Sequence, residues 1–197
     1  MTLLEEIVSA FTADQVNIDD LPDSDPVAVL GQKCSTLFTN GVATLGAVVP
    51  NERIQTLARV IWDLVGNKRV LIALGPKVPT LAFTAMQDRG VLQGIVFIPQ
   101  AWPEMAQKDA FMQLGAILFV GAQAVDFYND RLMNDPTAEG RWHAYEAELL
   151  HTLRKLMPDW KPNVYQTKVM AQYPDGLDTA GVELYAFKSY EPSKGDA

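Results

Sequence analysis

The sequence predicts a single domain of class α/β or α+β, with a short, mainly parallel central sheet flanked by helices and an antiparallel hairpin at the C-terminus. Three observations predict it. The 197 residues are 48% hydrophobic and 20% charged, a balance suited to one substantial core. The runs RVLIAL (69–74), GIVFIP (94–99) and AILFVG (116–121) have the character of strands buried on both faces. The intervals between them can each hold a helix of about three turns, which implies parallel pairing through right-handed crossovers. The alternative is an α+β chain in which 103–132 is one long buried helix. Leu114 to Ala122 is apolar on every side of a helical projection, so periodicity does not separate the two. Gly115 and Gly121 favour the strand, because glycine costs about 1 kcal/mol relative to alanine inside a helix.

The elements follow in order. Residues 2–13 suit a short helix, and the acidic ADQVNIDDLPDSDP (13–26), with five aspartates and two prolines, a solvated loop. Asp25 and Pro26 start a second helix, a capping side chain followed by a residue with no amide hydrogen to satisfy. It is expected to end near Phe38, with Asn40-Gly41 as its left-handed cap. VATLGAVV (42–49) reads as a strand. Asn51 caps a third helix whose Ile54, Leu57, Ala58, Ile61, Leu64 and Val65 share one face, ended by Gly66-Asn67. After the three apolar runs, NDPTAEG (134–140) reads as a loop and 141–157 as a helix stopped by Pro158. In NVYQTKVMAQY (163–173), Tyr165, Thr167, Val169, Ala171 and Tyr173 alternate as on a strand face, and VELYAFKSY (182–190) is its expected return. The domain is expected to span 1–190, with 191–197 as a mobile tail.

Charge and composition narrow the function. A net charge of −8 repels phosphate backbones and anionic headgroups, and NKR (67–69) is too small a basic cluster to offset it. Neither nucleic-acid binding nor membrane docking is expected. The uncharged run AFMQLGAILFVGAQAV (110–125) falls short of a membrane span and reads as core. Cys34 is the sole cysteine, so no intramolecular disulfide forms. The opening MTLLEEIVSAFTA carries acids where a signal peptide carries basic residues. Both features fit a cytoplasmic location.

RWHAYEAELLHTLRK (141–155) holds both histidines and contains Glu148-x-x-His151. On a helix, Trp142, Leu149, Leu150, Leu153 and Met157 fall on one side, and Glu148, His151, Thr152 and Lys155 opposite, where water is expected. A dinuclear bundle site needs a second such pair, but Gly140 stands three residues before His143. The histidines lie about 12 Å apart along the axis, too far to share an ion. No metal and no cofactor are expected. Glu146, by contrast, projects among the leucines beside Trp142. A carboxylate there needs a partner, such as His143 or Arg141, or takes up a proton, which makes it a candidate acid–base group.

The remaining candidates sit at the carboxyl ends of the expected strands, where open α/β sheets bind ligands. Lys77 in GPKVP, Gln100 and Trp102 are candidate ligand contacts. Asp126 is either a helix cap or a second acid–base candidate. Trp102 before Pro103 also suits a helix-entry staple. Cys34, among Leu30, Leu37 and Phe38, reads as a core residue rather than an activated thiol. No Gly-x-Gly-x-x-Gly, phosphate-binding loop or Gly-x-Ser-x-Gly elbow occurs.

The composition favours a non-catalytic binding or interaction module for a protein partner or a small ligand, since it offers few reactive groups. Self-association is suggested by base rates alone. Two alternatives stand beside it. One is a small-molecule enzyme with an anion-binding crevice, using Lys77 with Asp126 or Glu146. The other is an assembly component of a phage or secretion machine. The residues leave open whether the chain is an enzyme.

Overall fold

A computed structural model describes residues 2–13, 25–88, 91–129 and 138–178. The fold is α+β: a small mixed sheet with helices packed around it. Helix α1 (Leu3–Thr12) opens with a capping box between Thr2 and Glu5. Helix α2 (Pro26–Ala47) starts at Asp25, whose side chain accepts from Val27 N, and α3 (Glu52–Gly66) at Asn51, which accepts from Arg53 N and Ile54 N. Strands β1 (Val70–Leu74), β2 (Ala82–Asp88) and β3 (Val91–Ile98) follow. Then come α4 (Trp102–Lys108), α5 (Ala110–Tyr128), α6 (Ala138–Leu156), α7 (Val164–Gln172) and a 3-10 turn, Gly176–Asp178.

The sheet order is β1-β3-β2. Strands β1 and β3 are parallel, with Val70 opposite Gly94 and Leu74 opposite Ile98, so two of the three apolar runs pair as their composition predicts. Between them, 75–93 forms no crossover helix. It carries β2, which runs antiparallel to β3 from Ala82 opposite Phe97 to Asp88 opposite Val91. Phe83 explains the register. Its ring packs against Phe127 at 5.8 Å and over Gly94, where an added Cβ would meet the ring at 2.8 Å.

The third apolar run is helical. AILFVG (116–121) lies inside α5, so the sheet is not mainly parallel, and the segment is a buried helix as in the α+β alternative, though as two helices and not the single one expected over 103–132. Asp109 divides that helix from α4, accepting from Met112 N at 3.0 Å. Helix α5 is long and apolar enough to cross a membrane by length and composition, but 72% of it is buried against the rest of the protein.

VATLGAVV is also helical through Ala47, as the end of α2. Its supposed terminator, Gly41, is instead a crossing point. A Cβ there would lie 2.3 Å from Ile117 Cδ1 and 2.9 Å from Phe11 Cε2. Gly121 plays the same part for α3, since its Cβ would lie 2.1 Å from Ile61 Cδ1. The segment 163–173 holds α7 rather than a strand, with Asn163 and Tyr173 as its caps; it is opened by a reciprocal cap between Asn163 and Gln166 and buries Gln166, Val169 and Met170. The proposed return strand 182–190 and the tail 191–197 lie outside the described residues.

One cluster of buried side chains joins α1 to α6 and the sheet, with Phe11, Phe38, Trp102, Ile117 and Tyr145 among its members. A second, small cluster of Ala147, Leu150, Val169 and Met170 holds α7 onto α6.

Candidate functional site

With 116–121 in a helix, the crevice expected beyond three strand ends does not form. Lys77 and Gln100 follow β1 and β3 and are exposed. Trp102 is fully buried, between the rings of Phe11 at 6.0 Å and Phe38 at 6.3 Å, as a core residue and not a ligand platform. Asp126 does not stand at the start of a helix among the described residues. It lies within α5, 1% exposed, taking hydrogen bonds from Arg141 at 3.1 Å and the Trp142 indole at 2.7 Å. These four side chains do not converge on one site.

The face expected to meet water is only partly turned to it: Lys155 is exposed, but Glu148, His151 and Thr152 are half-buried. Glu148 accepts from Asn51 Nδ2 at 2.9 Å and Leu177 N at 3.1 Å, and His151 Nε2 lies 2.8 Å from the Tyr173 carbonyl. Both hold the C-terminal turn against α6. The backbone of Gly176 passes so close, at φ +59°, that a Cβ would sit 2.2 Å from a Glu148 oxygen.

Glu146 is where the helical projection places it, buried at 3% exposure, and it is the centre of the best candidate site. It borders a cavity of ≈ 250 Å³ walled by Leu81, Met112, Gln113, Ala116, Phe119 and His143, with Thr80 and Tyr165 at its margin. The volume is somewhat below the roughly 300 Å³ at which drug-sized pockets begin. Helix α5 supplies Met112, Gln113, Ala116 and Phe119 because these positions repeat on one helical face. Helix α6 supplies His143 and Glu146 one turn apart. The carboxyl group fits against α5 because position 115 is glycine: a Cβ there would lie 3.1 Å from Glu146 Cγ and 3.2 Å from Oε1.

Oε2 of Glu146 accepts a hydrogen bond from the Tyr165 hydroxyl at 2.9 Å. Burial, and then the neighbouring Glu146, push the Tyr165 pKa above the ordinary 10.0, so the phenol keeps its proton and donates. His143 Nδ1 lies 3.5 Å from the same oxygen and is itself buried without a hydrogen-bond partner among the described residues. Its ring packs on Phe119, with centroids 4.7 Å apart. Oε1 of Glu146 accepts no hydrogen bond from a described residue. The Cys34 thiol, far from activated, is pushed up by burial to about 11.

The sequence placed Glu146 in the core with His143 as a neighbour, as the structure has them. It missed Tyr165, assigned to a strand, and Gln113, which an all-round apolar projection concealed. The Asn163-x-x-Gln166 spacing was the available signal that Tyr165 stands on a helix. Among the described residues no group of three or more histidine, cysteine, aspartate or glutamate side chains is placed to hold a metal ion. No family model, curated protein or solved structure matches this chain.

Proposed function

We propose that the protein is a binding domain for a small organic cation, with an apolar body lodged among Leu81, Met112, Ala116 and Phe119 and an ammonium group received by Glu146. One observation carries this reading: a buried carboxyl group borders an apolar cavity that no lysine or arginine lines among the described residues, and one of its oxygens accepts no hydrogen bond from a described residue. An isolated buried carboxylate is costly, by several kcal/mol. A single hydrogen bond from a phenol offsets about 1.5–3 kcal/mol of that. His143 Nδ1, 3.5 Å from Oε2, is the basic group already beside the carboxyl, so Oε1 is the oxygen at which a ligand's cationic donor would be received, and the Phe119 face adds a favourable surface for it.

The convergence of His143, Glu146 and Tyr165 supports a second reading, a proton-transfer enzyme acting on a molecule held in the same cavity. Binding is the more economical of the two, because it needs only the groups already aligned.

Calorimetric titration with benzylamine, benzyl alcohol and phenylacetate tests the proposal. Benzylamine should bind most tightly and phenylacetate least. Glu146→Gln should weaken benzylamine by about tenfold or more, equivalent to about 1.4 kcal/mol. Equal binding of phenylacetate, or unchanged benzylamine affinity in a folded Glu146→Gln variant, would overturn it.

A further inference from the structure

We infer that Gln113 reads a second feature of the ligand, a hydrogen-bond acceptor carried near the cationic group, so that the favoured class is amino amides and amino alcohols rather than simple amines or free amino acids. The inference rests on the cation-binding reading of the cavity and deepens it.

The orientation of Gln113 carries the inference. Its side chain is 3% exposed and lines the same cavity as Glu146. The Trp102 indole donates to its Oε1 at 2.8 Å. Indole nitrogen is a donor only, so this bond fixes which end of the amide is which. Reversing the amide would set two donors against each other inside the core. Trp102 is fully buried and held between Phe11 and Phe38, so it does not swing away to permit the reversal. The group left over is the Nε2 amide, which donates to no described residue.

Beside His143 Nδ1, the cavity therefore offers an unused donor on Gln113 and an unused acceptor on Glu146 among the described residues. A ligand bearing an ammonium and a neighbouring carbonyl or hydroxyl oxygen satisfies both. A free amino acid places its carboxylate in a cavity that already contains Glu146 and has no arginine or lysine to receive it, so it is rejected. An amine without an acceptor makes no bond to Nε2, which faces the cavity, and so gains less than a ligand that does.

The test compares phenylglycinamide, benzylamine and phenylglycine by calorimetry on the full chain. Phenylglycinamide should bind about three- to tenfold more tightly than benzylamine, the range expected of one neutral hydrogen bond. Phenylglycine should bind most weakly. Gln113→Glu keeps an oxygen for the Trp102 indole but removes the amide donor, and it should abolish or reverse the preference for phenylglycinamide. The Gln113 side-chain amide resonances of the unaltered protein provide a readout independent of any variant: they should shift with phenylglycinamide and not with benzylamine. Benzylamine binding that depends on Glu146, with no added affinity for phenylglycinamide and no Gln113 shift, overturns the role of Gln113 and leaves the cation site standing. Failure of both amines to bind overturns the two together.

Discussion

Cys34 and Tyr145 are 1% exposed and hold their protons more tightly than free side chains do. Burial moves the thiol from 9.0 to about 11. Burial, and then the charge of Asp126, move the Tyr145 phenol from 10.0 to about 12. Both are acids whose neutral form is favoured in the folded state. Between pH 9 and 12 the unfolded chain therefore releases protons that the folded chain keeps, and stability falls as pH rises through that window. Well below pH 9, where both groups are protonated in either state, neither contributes a slope. Urea unfolding at stepped pH should show a midpoint that declines from about pH 9 upward, and the thiol should resist a disulfide reagent at pH 8 until urea unfolds the chain. Rapid labelling of the native protein at pH 8 would contradict this placement of Cys34. At this scale the sequence was most informative. A helical projection located Glu146 in the core, and the apolar neighbours of Cys34 marked it as buried, because both inferences depend only on which side of one helix a residue occupies.

Individual elements were legible where their own residues decide them. The Asn51 cap and the three–four spacing after it define α3 without reference to anything else. The elements that were misread are those decided by a neighbour. Gly41 and Gly121 resemble helix breakers in isolation, yet each is where a second helix comes too close for a Cβ. Their cost of about 1 kcal/mol in helix propensity is offset by packing that only the tertiary fold contains. Gly121→Ala should therefore destabilise the protein by about 1–3 kcal/mol despite alanine's better propensity, since Ile61 is 3% exposed and has nowhere to retreat. Gly66→Ala, at the end of α3 with no atom within 4 Å of the added Cβ, should be neutral or stabilise by up to about 1 kcal/mol. Thermal denaturation of the two variants measures the contrast, and matching shifts would remove the argument that close approach explains the glycine in α5. For 163–173 the error lay in period. Alternating apolar residues outweighed a cap, although Gln166, Val169 and Met170 already stood at helical spacing.

Across the whole molecule, the sheet pairs one parallel and one antiparallel neighbour on β3, and no local pattern specifies that order. Of the three apolar runs that read as strands two are strands, and β2 lies in a segment whose spacing predicts a crossover helix. The site followed the same division. Its acidic centre was readable from one helix, whereas the cavity exists only because α5, α6 and α7 meet in front of the segment leading into β2. The docking of α7 has a thermodynamic corollary. That helix rests mainly on the small cluster with α6, yet it contributes the hydroxyl bound to Glu146. Any occupant drawn to the intact carboxyl–phenol pair should consequently favour the attached form of α7 over a peeled one, by linkage. Saturating amounts of such a molecule should slow deuterium uptake at the α7 amides more than at those of α3, which packs on α2 and α5. Uniform slowing in both would mean that the C-terminal helix and the cavity open independently.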